Sequence, residues 1–246
     1  MFGYVGDTIG EGCPRRRCPV SWSPNLLVLA TLMATSACQT PAAAPTTAGA
    51  RPTPAEEVFN GCPGEGRGPD PQLNLLKNRV DQGIWQPTAV AGLLQLTWPP
   101  GIANKRMTAW ASADRMQVEP NNGNPVQAEG YLLEVREQEP ESTNCDAPDL
   151  ASRDFHGWLS AQPTDDRAIR SLIVEFTPRI RAKHSTWTLR ALDLVVREKT
   201  RVRISGWTML DPDHPDEVGK SRGTLWEIHP VMKIETAEPT GAWKEL

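Results

Sequence analysis

The sequence predicts a mainly β domain: a five-stranded barrel with one helix between its third and fourth strands, preceded by a short helical segment. Three observations carry this prediction. Five alternating apolar stretches follow one another at 126–137, 155–160, 172–178, 202–210 and 224–235. One helical pattern, 188–196, with Leu189, Leu192, Val195 and Val196 on a shared face, falls between the third and the fourth. The first and fourth stretches also read alike. Val126, Ala128, Gly130 and Tyr131 match Val202, Ile204, Gly206 and Trp207, and a mid-strand glycine suits a strand that bends sharply to close a barrel.

From the N-terminus, residues 1–37 read as a signal peptide. Arg15, Arg16 and Arg17 precede an apolar run of 12 residues, Leu26 to Ala37, that ends in small side chains. A bilayer-spanning helix needs about 20 residues, so a signal core fits better than a permanent span. Thr35-Ser36-Ala37-Cys38 resembles the lipobox of bacterial lipoproteins, which implies lipidation of Cys38. The family usually places Leu where this chain has Thr35, and ordinary cleavage near Ala37 is the other reading. Residues 38–59 are a Pro/Ala/Thr tether without apolar periodicity.

Residues 60–125 form a helical and loop preface packed on the barrel. Gly64, Gly66 and Gly68 have no preceding strand and no following GK[ST], which makes a loop and not a phosphate cradle. Asp70-Pro71 starts a helix carrying Leu73, Leu76 and Val80, with Gly83 as its stop. Thr88 caps a second helix that holds Val90, Leu93 and Leu94 and ends before Pro99-Pro100. Between Met107 and Val118 the pattern fits either a strand or a helix begun at Ser112, and 121–125 is a turn. The barrel is expected over 126–236, with 237–246 as a tail.

Composition narrows the class. The 246 residues carry 26 basic and 30 acidic side chains and 23 Pro, which excludes collagen, coiled coil, a multi-span membrane protein and a chain disordered throughout. A sequence pI near 5.7 argues against a duplex nucleic-acid partner. The charge is unevenly spread: 164–203 holds ten basic and five acidic residues, 128–154 two basic and eight acidic. Of five cysteines, Cys13 and Cys18 leave with the signal and Cys38 takes lipid. Cys62 and Cys145 remain, as a disulfide, as two thiols, or as one ligand each of a metal site; neither lies in a CxxC.

The strand and helix order resembles the OB-fold over about 126–236. The chain also resembles a family of exported bacterial proteins with no established activity. The resemblance rests on Glu141-Ser142-Thr143-Asn144-Cys145, Asp154-Phe155-His156, Glu175-Phe176-Thr177-Pro178-Arg179 and Trp226-Glu227-Ile228-His229-Pro230-Val231. It adds to the fold and nothing to the chemistry.

Within the chain, Asp154, His156, Glu175 and His229 are the candidate ligand or metal residues, because an Asp-x-His pair and a Glu-x-His pair each project from one strand face. Trp158, Glu227 and Arg179 are candidate ligand contacts. Spacing selects no metal site: HExxH and paired CxxC are absent, as is a GxSxG elbow. No cofactor is required, with a divalent metal as the one candidate. The expected function is a non-catalytic binding or structural module, exported and lipid-anchored on the periplasmic side of the cell envelope, with the membrane and an envelope protein as partners. The alternative is a metal-assisted hydrolase of the nuclease type, by analogy with the thermonuclease family's OB-like barrel.

Overall fold

The structure, a computed structural model, describes residues 58–246. The signal segment, Cys38 and most of the tether lie outside the described residues. Asp70 opens α1 (Pro71–Lys77): its carboxylate accepts from the Leu73 amide, and proline at the first position needs no donor there. The helix ends at Asn78, well short of Gly83. A two-residue strand, β1 (Gln86–Pro87), leads to α2 (Val90–Leu94), whose N-cap is Ala89. Thr88 does not cap it; the hydroxyl donates to the Gln86 carbonyl instead. The ambiguous stretch resolves as α3 (Ser112–Val118) after a single 3-10 turn at Met107–Ala109.

The barrel strands are β2 (Pro125–Glu137), β3 (Phe155–Ser160), β4 (Ser171–Phe176), β5 (Arg201–Leu210) and β6 (Trp226–Ala237). Short helices α4 (Arg167–Arg170) and α5 (Pro178–Arg181) flank β4, and Pro178 ends that strand two residues earlier than the apolar pattern suggests. Helix α6 (Leu189–Arg197) falls between β4 and β5, with Thr188 accepting from the Ala191 amide as its cap. The last strand, β7 (Trp243–Glu245), pairs with β6, so the expected tail is part of the sheet.

Neighbouring strands run β2-β3-β4-β6-β5, and β5 pairs back onto β2. The barrel is therefore closed. β4 and β6 are parallel and the other barrel pairs antiparallel, an OB-like arrangement. Closure depends on β2 changing partner near its middle: residues 125–131 pair with β5, and 131–137 with β3. Gly130 stands at that change. A Cβ there would lie 2.3 Å from the Ser160 carbonyl oxygen, and one at Gly206 2.4 Å from that of Pro230. Both glycines are required by close backbone approach, as the paired sequence pattern predicts.

The interior is filled from every strand, by Val126, Ala128, Leu132, Phe155, Leu159, Leu172, Val174, Phe176, Val202, Ile204 and Ile228, with Leu192 and Val195 of α6 added. Each of the α6 pair contributes about 1.5–3 kcal/mol by burial. Period two fails in β6. The ladder with β5 slips on either side of Gly206, so Val231 joins Ile228, Met232 and Ile234 inside rather than lying opposite them.

Strand pairing also offsets part of the charge segregation read along the chain. Glu129 in the acidic stretch lies opposite Arg203 and holds Arg201 and Arg203. Glu134 and Glu137 likewise meet Arg167 and Arg153. Glu129 and Glu134 thus offset three of the basic residues of 164–203.

Candidate functional site

Strand alternation that sends Phe155, Leu159, Val174, Phe176 and Ile228 inward sends His156, Trp158, Ile173, Glu175, Glu227 and His229 outward. Register then brings these together: His156 stands across from Glu175, and Ile173 across from Glu227. His156 Nε2 contacts Glu175 Oε1. His229 Nδ1 lies 3.4 Å from Glu227 Oε2 and 4.0 Å from Glu175 Oε1. The other oxygen of Glu227 accepts from Arg222 at 2.7 Å.

An outward face of an antiparallel barrel is ordinarily wet, yet this one is buried: Glu175, Glu227 and His229 are 2%, 1% and 1% exposed. The cover is the chain's own segment 59–83 with the loop 138–154. Cys62 and Cys145 form a disulfide, Cα to Cα 5.7 Å, that joins the two. Arg67 donates its amide to the Ser142 carbonyl; Asn78 donates to the carbonyls of Gly64 and Thr143; Thr143 donates to Asn74. Arg179 reaches over to donate to the carbonyls of Cys62 and Pro63. Lys77, on the last turn of α1, meets Asp211 at 3.5 Å.

Burial and charge together set the protonation pattern. Burial, reinforced by Glu141 and Glu175, holds Asp154 well above the usual carboxylate range. Burial does the same to Glu175, with Glu227 and Glu141 adding to it against the pull of His229. Desolvation pushes His156 down to about 4. Burial thus favours the protonated carboxyl at Glu175 and the neutral imidazole at His156. Burial would raise Glu227 too, but Arg222 and then His229 overcome it and hold it below its ordinary value. Asp211 is lowered by Lys77 against the same desolvation.

The sequence-selected residues fall into three groups. His156, Glu175, Glu227 and His229 converge. Asp154 sits at the edge of the same cluster, accepting from Asn144 at 2.8 Å and feeling the charge of Glu175. Trp158 and Arg179 serve packing: the Trp158 indole donates to the Ser221 carbonyl with Arg136 and Arg167 over its ring, and Arg179 fastens the covering segment. Both are buried.

Lys77, Asp211 and Arg222 complete the cluster and do not emerge from motif reading. Lys77 carried a signal, since it falls four residues after Leu73 on the apolar stripe of α1. Arg222 and Asp211 lie in an irregular loop with no period to mark them.

No protein-family model matches the chain, and no curated protein matches it. Among solved structures, it is similar to a chain described as an aspartyl-tRNA synthetase from Leishmania major Friedlin, at 11% identity and a TM-score of 0.29. The match takes in 63% of this chain and 21% of that one, so this chain spans about a fifth of that protein's length. Among the described residues no helix is long and apolar enough to cross a membrane.

Proposed function

We propose that the chain is an exported, lipid-anchored module of the bacterial cell envelope that binds or supports a partner without catalysis. The observation that carries this reading is the cover on the barrel. The face of β3 and β4, with the loops beside it, is where OB-folds take oligonucleotides and oligosaccharides; here it is occupied by the chain's own segment. A hydrolase would need substrate to reach Glu175 and His229, and both are sealed beneath that segment. The Cys62–Cys145 disulfide supports an oxidising compartment. The resemblance to exported bacterial proteins agrees with it, because the ESTNC residues that carry the resemblance are the ones that fasten the cover. The route outward is the signal segment, with the lipid on Cys38 and the tether between membrane and barrel. Its partners are then the membrane, through the lipid, and an envelope protein met on another surface.

Expression with the chain's own leader in a bacterial host, followed by fractionation and mass spectrometry, tests the reading. The expected product begins at a lipidated Cys38, holds the disulfide, and is released from the membrane fraction by Cys38→Ser. A cytoplasmic product with free thiols would overturn it. So would phosphodiester hydrolysis by the purified protein that disappears in Glu175→Gln.

A further inference from the structure

The buried outer face gathers metal-type donors on neighbouring strands. Glu175, Glu227 and His229 each offer an atom within 4.8 Å of the other two. Ligands on one zinc-type ion at about 2.0–2.2 Å stand roughly 3–3.6 Å apart. The separations of 3.4 Å and 4.0 Å from His229 Nδ1 to the two glutamates need to close by only a few tenths of an ångström.

The neighbouring cations are already committed to other carboxylates. Lys77 is matched to Asp211 and Arg222 to Glu227. Among the described residues no Lys or Arg forms an ion pair with Glu175 or Asp154. Glu175 Oε2 also has no hydrogen-bond partner among the described residues, although its side chain is more than nine-tenths buried. A buried polar atom left in that state costs about 1–3 kcal/mol, and more when charged.

We infer that Glu175, Glu227 and His229 form a site for one divalent cation of the zinc class, enclosed beneath the 59–83 segment. His156 is a positioning residue that holds Glu175 from the side, and Arg222 holds Glu227 through the carboxylate's other oxygen, the outer support that metal-ligating carboxylates use. The donor set chooses the class of ion. Calcium and magnesium prefer oxygen throughout, whereas one imidazole with two carboxylates suits zinc and its transition-metal neighbours. The ion is structural, because the cover that hides it also hides it from substrate. This goes beyond the envelope-module reading and does not depend on lipidation or export.

The test uses the mature, disulfide-intact chain, dialysed against chelator and then titrated with Zn²⁺ by calorimetry and with Co²⁺ by visible absorption. One equivalent of Zn²⁺ is expected to bind and to raise Tm, Co²⁺ to show the bands of a low-coordinate site, and Mg²⁺ and Ca²⁺ to do neither. Glu175→Gln and His229→Asn should each weaken Zn²⁺ binding by about 100-fold and His156→Asn by about 10-fold, the range for ligand and supporting residues. His214→Asn, which alters an exposed histidine between Asp211 and Glu217, should change nothing. Absence of saturable Zn²⁺ binding below about 10 µM by the wild-type chain overturns the inference. So does binding that survives Glu175→Gln and His229→Asn or is lost in His214→Asn. Should the variants not fold, the wild-type Tm decides: no rise with Zn²⁺ that chelator reverses is a negative result. A negative result leaves the module reading standing, because that reading fails on localisation and thiol state.

Discussion

The two faces of the sheet formed by β3, β4 and β6 are both largely dry and chemically opposite. Inward, Phe155, Leu159, Leu172, Val174, Phe176 and Ile228 form a continuous apolar core. Outward, His156, Glu175, Glu227 and His229 lie beneath the 59–83 segment with Lys77, Arg222 and Asp211. The inner face is stabilised by area, which is additive and indifferent to partner identity. The outer face is held by pairing, in which each charge is tolerable only while its partner is present. Burial therefore has two meanings in one barrel, and they respond to mutation differently.

The largest effect should come from releasing the cover. Cys62→Ser with Cys145→Ser opens a loop of 83 residues' separation. Urea unfolding should show a loss of about 4–5 kcal/mol in the chain-entropy model. Limited proteolysis of that variant should cut within 59–83 first and leave the barrel. Simultaneous cutting of both would mean the cover and the barrel are one cooperative unit.

Breaking a pair on the outer face comes next. Arg222→Met strands Glu227 in a buried site and should cost about 3–5 kcal/mol, most of it recovered when Glu227→Leu is added. A double variant as unstable as the single would contradict the pairing account. Leu159→Ala on the inner face should cost about 3 kcal/mol, and no second substitution on the outer face should recover it.

The pH response should also separate the faces. His156 is neutral in the fold down to about pH 4, whereas the unfolded chain takes up that proton near 6.5. Its contribution is thus present above pH 6.5 and lost as pH falls from 6.5 to 4, by at most on the order of 3 kcal/mol. Glu175 and Asp154 act in the opposite sense, since both bind protons more readily folded than unfolded. Thermal melts in chelator should therefore show a smaller acid loss for His156→Gln than for the wild type. Parallel curves would remove His156 from the cluster.

Much of the barrel was legible in the sequence because strand alternation and paired glycines are local signals. The five strands, the α6 helix and the mid-strand glycines Gly130 and Gly206 all follow from residues within one element. Val231 departs from the period-two pattern because its orientation is set by slips in the ladder with β5, a partner more than twenty residues away. The cluster was half legible. His156, Glu175, Glu227 and His229 stand out on their strands, and their convergence follows once the strand order is known. What hides them does not: the role of the ESTNC loop appears only when Asn74, Asn78 and Arg67 of the N-terminal segment are laid against it. Likewise, Trp158 and Arg179 look like free polar or aromatic side chains in one dimension, and are fastened to loops that sequence cannot place.

The central claim is that segment 59–83 seals the outer face of the barrel, and the chain's four histidines report on it directly. Diethylpyrocarbonate labelling followed by peptide mass spectrometry should modify the exposed His214 and the partly exposed His184 in the oxidised protein and spare His229. In the Cys62→Ser, Cys145→Ser variant, His229 should become reactive as the cover lifts. Modification of His229 in the oxidised protein at the rate of His214 would show that the face is open and would contradict the account.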